Sequence, residues 1–319
     1  MNWCAPDPTC LTLRDYNNGV FRCLDTVLRY PYNCQSMIID SHTKIYPPNF
    51  NNIRGHLLKT DATFSSLFSI SNARLVTGAD LLMSMNKHQI DMSIIAGIGW
   101  TNLEVAKQAN TYLLEEAQTN PTRFLPFCSV NPSWGLESIN EIERCARLGA
   151  VGIGELHPDT QNVDIGDQKI MGPFMQIARD LKLPVLIHSS EPVGHMYSGK
   201  GATSPKKLME FIDAFPDNII ICAHWGGGLP FYSLMPEISR SLPNIYFDSA
   251  ASSLLYDANV FNITTRLVGA EKILFASDYP VVSPKKILTQ IKKSGLSPEQ
   301  RKLILGGNAK KIFCIDNPT

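Results

Sequence analysis

Eight short apolar runs, separated by longer amphipathic stretches, limit what this chain can fold into more than any other feature. They are SMIID (36–40), DMSIIAGI (91–98), RFLPFCSV (123–130), GAVGIGEL (149–156), PVLIHS (184–189), NIIICAH (218–224), NIYFDSA (244–250) and KILFASD (272–278). Their hydrophobicity is nearly continuous rather than alternating, as parallel strands covered on both faces require. Between them, NLEVAKQANTYLLEEAQ, LESINEIERCARLG, PFMQIARDLKL and PKKLMEFIDAF carry apolar residues at helical spacing over three or more turns. Strand and helix alternating eight times predict an α/β chain folded as a single (β/α)₈ TIM barrel. A doubly wound open sheet is the alternative, but no G-x-G-x-x-G follows the first run.

The length of 319 residues suits one such barrel. No solenoid repeat, low-complexity tract or long Pro/Gly linker divides it. Residues 1–35 are expected to form an N-terminal extension and 36–319 the barrel domain, with 47–72 an extended loop above the first strand. Hydrophobic residues at 44% supply a large core, and 29 basic side chains balance 29 acidic ones. That balance argues against a nucleic-acid or membrane-surface partner, since both favour a basic excess. No apolar run is long enough to span a bilayer. MNWCAPDPTC lacks a basic patch followed by an apolar run, so a cytoplasmic location without a secretory leader is expected. Cys128, Cys145, Cys222 and Cys314 lie in apolar segments and are expected to be buried thiols. Cys4, Cys10, Cys23 and Cys34 lack the close pairing of most structural zinc sites, and free thiols are the expectation.

Barrel chemistry sits at the C-terminal ends of the strands. The polar residues there are His42, Glu155, His188, His224 and Asp278. Each alone has a bland explanation: a strand-end histidine is commonly just hydrogen-bonded, and Asp278 before Tyr-Pro could cap a helix. Three imidazoles and two carboxylates on one rim have no obvious structural purpose, and they match the ligands of a divalent metal.

IDSHTK, GIGELHPD, PVLIHSSEPVGH, ICAHWGGGLPFY and LFASDYP, in that order, resemble the motifs of the amidohydrolase superfamily. The resemblance runs from about residue 37 to the end and is strongest to the amidohydrolase-2 group of aminocarboxymuconate-semialdehyde-decarboxylase-like metal-dependent hydrolases and decarboxylases. It implies one divalent metal, zinc with manganese or iron as alternatives, and His42 and His188 as ligands. It implies that Asp278 is a ligand or general base, and that His224 ligates metal or acts as acid/base near the substrate. Glu155 falls where binuclear members bridge two metals, and a homodimer is implied as well.

The family's first motif is His-x-His, whereas this chain has His42-Thr43-Lys44. A protonated lysine has no lone pair to donate and repels a dication. Three outcomes are open. His42, Glu155, His188 and Asp278 still hold one metal, which is the leading expectation. Alternatively Lys44 replaces the metal as a fixed charge for an oxyanion or substrate carboxylate. In the third, burial deprotonates Lys44, which then serves as base or ligand. Against all three stands a Lys44 that turns away to a loop carboxylate.

The loop 189–201, SSEPVGHMYSGKG, offers His195, Tyr197 and Lys200 for substrate binding, although a solvated loop explains them equally well. Trp225 is expected to wall the rim, and the three glycines after it to let the chain pass close to a ligand. His157 is a second-tier candidate; His56 and His88 are expected to be incidental. The leading function is a metal-dependent hydrolase of a small organic acid, ester, lactone or amide. The alternatives are a non-oxidative decarboxylase of an aromatic or unsaturated acid, and a metal-free, inactive ligand-binding barrel.

Overall fold

The computed structural model describes residues 37–70 and 72–315. Its eight strands are β1 (Ile39–Thr43), β2 (Met92–Ile95), β3 (Phe124–Cys128), β4 (Gly152–Leu156), β5 (Val185–Ile187), β6 (Ile220–Cys222), β7 (Ile245–Asp248) and β8 (Ile273–Leu274). Each pairs in parallel with the next, in chain order. Every strand lies within its apolar run except β1, which runs three residues further to bring His42 and Thr43 into the ladder.

The circle closes between the first and last strands. The Ser41 N–H donates to the Phe275 carbonyl (2.9 Å), and the Lys44 N–H to Tyr279 (2.8 Å). The Asp40 carboxylate accepts from the Ser277 backbone N–H (2.8 Å) and hydroxyl (2.6 Å) across the same seam. These bonds are buried, so the backbone groups at the seam are paired rather than left as an open edge.

Strand alternation explains the continuous apolar runs. Val185 and Ile187 of β5, with Ile220 and Cys222 of β6, pack in the cluster shared with the helices. Leu186 and Ile221, between them, join Ile39, Ile94, Phe127 and Leu274 in a separate cluster inside the barrel, together with Phe313. Both faces are buried, so apolar residues fill successive positions rather than alternate ones. The amphipathic stretches form α4 (Leu103–Thr119), α5 (Leu136–Arg147), α6 (Gln168–Asp180) and α7 (Pro205–Ala214) around the outside.

Residues 47–72 correct the expectation of a loop. They hold a 3₁₀ turn (Pro48–Asn51), α1 (Arg54–Thr60) and α2 (Ala62–Phe68). Asp61 caps α2 by accepting from the Phe64 N–H at 2.8 Å. Leu57, Phe64 and Phe68 bury against Tyr46, Phe50 and Trp100, packing that short polar-rich segments do not advertise in sequence. Helix α3 (Gly78–His88) follows, opened by a Thr77–Asp80 capping box. Cys128, Cys145 and Cys222 are buried as expected, whereas Cys314 is exposed past the last helix. The extension, with Cys4, Cys10, Cys23 and Cys34, lies outside the described residues. No helix among the described residues is long and apolar enough to cross a membrane.

Candidate active site

The end of β1 sets the site. Thr43 faces outward, its hydroxyl donating to the Ile94 carbonyl (2.6 Å), so His42 and Lys44 on either side of it share the inner face. Lys44 is buried, and its Nζ lies 2.6 Å from both His42 Nε2 and Glu155 Oε2 and 3.6 Å from Asp278 Oδ1. Lys44 therefore does not turn outward to a loop carboxylate.

His42 Nδ1 meets Asp248 Oδ2 at 2.8 Å. Asp248, at the end of β7, also accepts from the His224 backbone N–H through Oδ1 (2.9 Å). Burial pushes the Asp248 carboxyl upward, but His42 beside it outweighs burial and holds it below the usual range. An ionised Asp248 accepts a hydrogen bond from His42 Nδ1–H. Against burial and Lys44, Glu155 and Asp248 raise the His42 pKa to about 10, but two fully protonated nitrogens cannot hydrogen-bond at 2.6 Å, so His42 Nε2 accepts from the Lys44 ammonium. Burial disfavours that ammonium, yet Glu155 and Asp278 more than compensate and raise the Lys44 pKa.

Glu155 is the hub. Besides Lys44, its oxygens lie 3.0 Å from His188 Nδ1, 3.2 Å from His157 Nε2 and 3.5 Å from His224 Nε2. Burial would raise its pKa, but Lys44, His157 and His42 hold it well below the carboxylate range. His188 is pushed down to about 4 by burial and by neighbouring His157, whose ring stacks on it with centroids 4.2 Å apart. A neutral imidazole is the form that binds metal.

His224 has φ 55° and Trp225 φ 60°, left-handed values that turn the chain sharply as it leaves β6. The turn sends His224 into the site, with Nδ1–H donating to the Ala250 carbonyl (3.0 Å). It sends Trp225 the other way. Contrary to expectation Trp225 is fully buried, packs on Phe261 and donates from Nε1 to Ser252 Oγ (3.0 Å). It forms no part of the rim. Gly227, also left-handed, passes so close to Ser190 that an added Cβ would sit 2.4 Å from the Ser190 carbonyl oxygen. Asp278, at φ 63°, donates its N–H to the His42 carbonyl (2.9 Å).

A cavity of about 560 Å³ opens above these groups. Lys44, Tyr46, Glu155, His157, His188, His224 and Asp278 line its inner end; Leu67, Phe68, His195, Tyr197, Leu254 and Val281 are among its outer residues. Lys200 lines none of it. Its ammonium donates to the Val193 (2.8 Å) and His195 (3.0 Å) carbonyls, because the Gly-containing loop folds back on itself and uses the charge to close its own turn.

Glu155, His157 and His188 offer donor atoms all within 4.8 Å of one another. His157 Nε2 is buried without a well-directed hydrogen bond, the mark of a donor aimed at something the protein does not itself supply. One carboxylate and two imidazoles also suit zinc, manganese or iron, so the residues fit a divalent metal. Of the expected ligands, Glu155 and His188 belong to this group. His42 and Asp278 lie instead around Lys44, 3.7 Å apart. His157, a second-tier candidate in sequence, belongs to the group as well: Glu155-Leu156-His157 repeats the two-residue spacing of His42-Thr43-Lys44, and His157 lies one position past its apolar run. Asp248 was missed outright, although it is a polar strand-end residue like the others.

A closed eight-stranded barrel with imidazoles, carboxylates and an ammonium converging on its strand ends is an enzyme architecture. The family model described as Amidohydrolase matches residues 39–315, and the chain belongs to that family. Over 249 residues it is 24% identical to a gamma-resorcylate decarboxylase from Polaromonas, covering 66% of this chain and 76% of that one. Among solved structures, 5-carboxyvanillate decarboxylase from Sphingomonas paucimobilis superposes with a TM-score of 0.72 at 18% identity, covering 88% of this chain and all of the other. A dihydroxybenzoic acid decarboxylase from Polaromonas, with bound manganese and 2-nitroresorcinol, superposes at 0.65 and 20% identity over 88% of this chain and 98% of its own. These structural likenesses speak for the fold.

Proposed function

We propose that this chain is a metal-dependent, non-oxidative decarboxylase of an aromatic or unsaturated carboxylic acid, rather than the hydrolase that its motifs alone favour. The observation that carries the reading is the cavity itself: largely apolar walls stand over an inner end of Lys44, His224 and Asp278. That is the arrangement for a flat apolar body with an anionic end. Curated relatives at 24–26% identity that carry the name gamma-resorcylate decarboxylase support it.

Glu155, His157 and His188 would hold the metal, which when bound supplies a positive charge for substrate oxygens. Lys44 supplies another at a fixed place. Two of its N–H groups are spent on His42 and Glu155, and the third can hold a carboxylate or phenolate oxygen in the cavity. The step is simple in its balance. The carboxylate leaves as CO₂, its bonding electron pair stays with the substrate carbon, and that carbon takes up one proton. Asp278 and His224 both line the cavity and are the groups placed to deliver that proton. The Ala250 carbonyl fixes the His224 tautomer, so Nε2 is the atom that faces the site.

The test is to incubate manganese-loaded protein with 2,6-dihydroxybenzoate in D₂O and with a panel of aryl esters and lactones. Release of CO₂ equimolar with resorcinol carrying one deuterium at the former carboxyl carbon is the expected result. Ester or lactone hydrolysis without CO₂ release would restore the hydrolase reading.

A further inference from the structure

We infer that the cavity takes an aromatic acid bearing a second apolar group, a short alkyl chain or another ring, on the side away from its carboxylate. For the acid end this rests on the decarboxylase reading; for the far end it rests on the shape and lining of the cavity. A cavity of about 150 Å³ is enough to hold a benzene ring. At about 560 Å³, this one leaves most of its space empty around a single-ring acid.

That space lies outward and is largely apolar, although His195, Tyr197 and Arg74 also line it. The titratable groups of the inner end sit at the strand ends, whereas Leu67 and Phe68 come from α2, Leu254 and Leu255 from the turn after β7, and Val281 from the segment after β8. Three apolar residues of the lining stand bare to solvent: Ile70 is 53% exposed, Leu254 51% and Val281 63%. An isolated exposed apolar side chain needs no explanation, but these three come from separate segments and border one opening. A single-ring acid docked at Lys44 leaves them in water; an acid with an apolar tail covers them. The exposed Arg74 also lines the cavity and would favour a rival ligand, an acid with a second carboxylate.

Equilibrium binding separates these cases without turnover. Full-length protein with manganese is titrated calorimetrically with 2-hydroxybenzoate and its 4-ethyl, 4-butyl, 4-hexyl and 4-carboxy derivatives. Each fully buried methylene is worth about a threefold to fourfold gain in affinity, so the butyl compound should bind at least about tenfold more tightly than the parent. In the double variant Leu254→Gln/Val281→Gln the butyl-to-parent ratio should fall toward unity. Both positions are solvent-exposed, and a melting curve checks that the fold is kept. A flat chain-length series in the native protein, or tightest binding by the 4-carboxy compound, overturns the inference. CO₂ release from the same compounds is scored separately. Chain-length gain without CO₂ upholds the apolar subsite and refutes the decarboxylase; CO₂ with a flat series does the reverse.

Discussion

Two buried glutamates sit in this barrel, each among groups that could bind metal, and they differ in what is left unfinished around them. Glu141, on α5, is ringed by Cys128 and Cys145. Its oxygens are already occupied: Arg144 donates to both at 2.7 and 2.8 Å, and the Asn110 amide adds a third bond at 2.9 Å. Glu155 faces the cavity among four imidazoles and an ammonium, and His157 Nε2 beside it has no directed partner. Donor counting treats the two clusters alike. Satisfaction separates them, because a saturated carboxylate holds structure together while an unsaturated cluster is set up to receive something.

The largest effect should come from Glu155→Ala, which deprives Lys44 and four imidazoles of their common partner. Decarboxylation should fall to background, and metal content, measured by inductively coupled plasma mass spectrometry, should drop from near-stoichiometric to a trace. His157→Ala and His188→Ala should both lower metal content; retention of metal in His157→Ala would erase the distinction drawn from its Nε2, which makes no well-directed hydrogen bond. Lys44→Met should cost roughly 10²–10³ in kcat, the scale of a lost preorganised donor to substrate charge, while metal remains bound. Glu141→Gln should leave metal content and activity in place and destabilise the fold by about 2 kcal/mol in urea melts, because Arg144 loses its charged partner. Burial raises the Glu141 pKa, but Arg144 and Asn110 outweigh it and hold it below its ordinary 4.5. Its contribution should therefore be complete above about pH 4.5 and fade as pH falls through the lower folded value, so native and Glu141→Gln stabilities converge in acid. Smallest of all, Cys128→Ser should leave metal content unchanged.

Much of this was legible in the chain. Eight buried parallel strands write themselves as eight apolar runs, and the barrel then says which neighbouring polar residues share a rim. His42, Glu155, His188, His224 and Asp278 were found that way. What escaped depended on contacts that no local pattern encodes. Asp248 acquires its role from His42, 206 positions earlier, and from a backbone N–H exposed only because His224 is left-handed. Glu141 sits in an amphipathic helix where a glutamate ordinarily faces water, and only Arg144 and Asn110 make its burial tolerable. Trp225 looked like rim because its neighbour is; the turn between them reverses the direction. Lys44 showed plainly as a departure, but its position in the middle of the imidazoles could be known only from the folded site.

The seam between β1 and β8 has a consequence in time. Asp40 and Ser277, which bind each other across it, are 237 residues apart, and His42 and Asp278 stand beside them. At synthesis rates of about 5–20 residues per second, roughly 12–47 s pass between the emergence of one side and the other. Throughout that interval the nascent chain carries Lys44 and then each imidazole of the site, but has no strand to complete the ring or bring Asp278 to the ammonium. Competence for chemistry is thus conferred by the last strand of the barrel, and a ribosome-bound chain stalled before it would hold seven of the eight strands and no working centre.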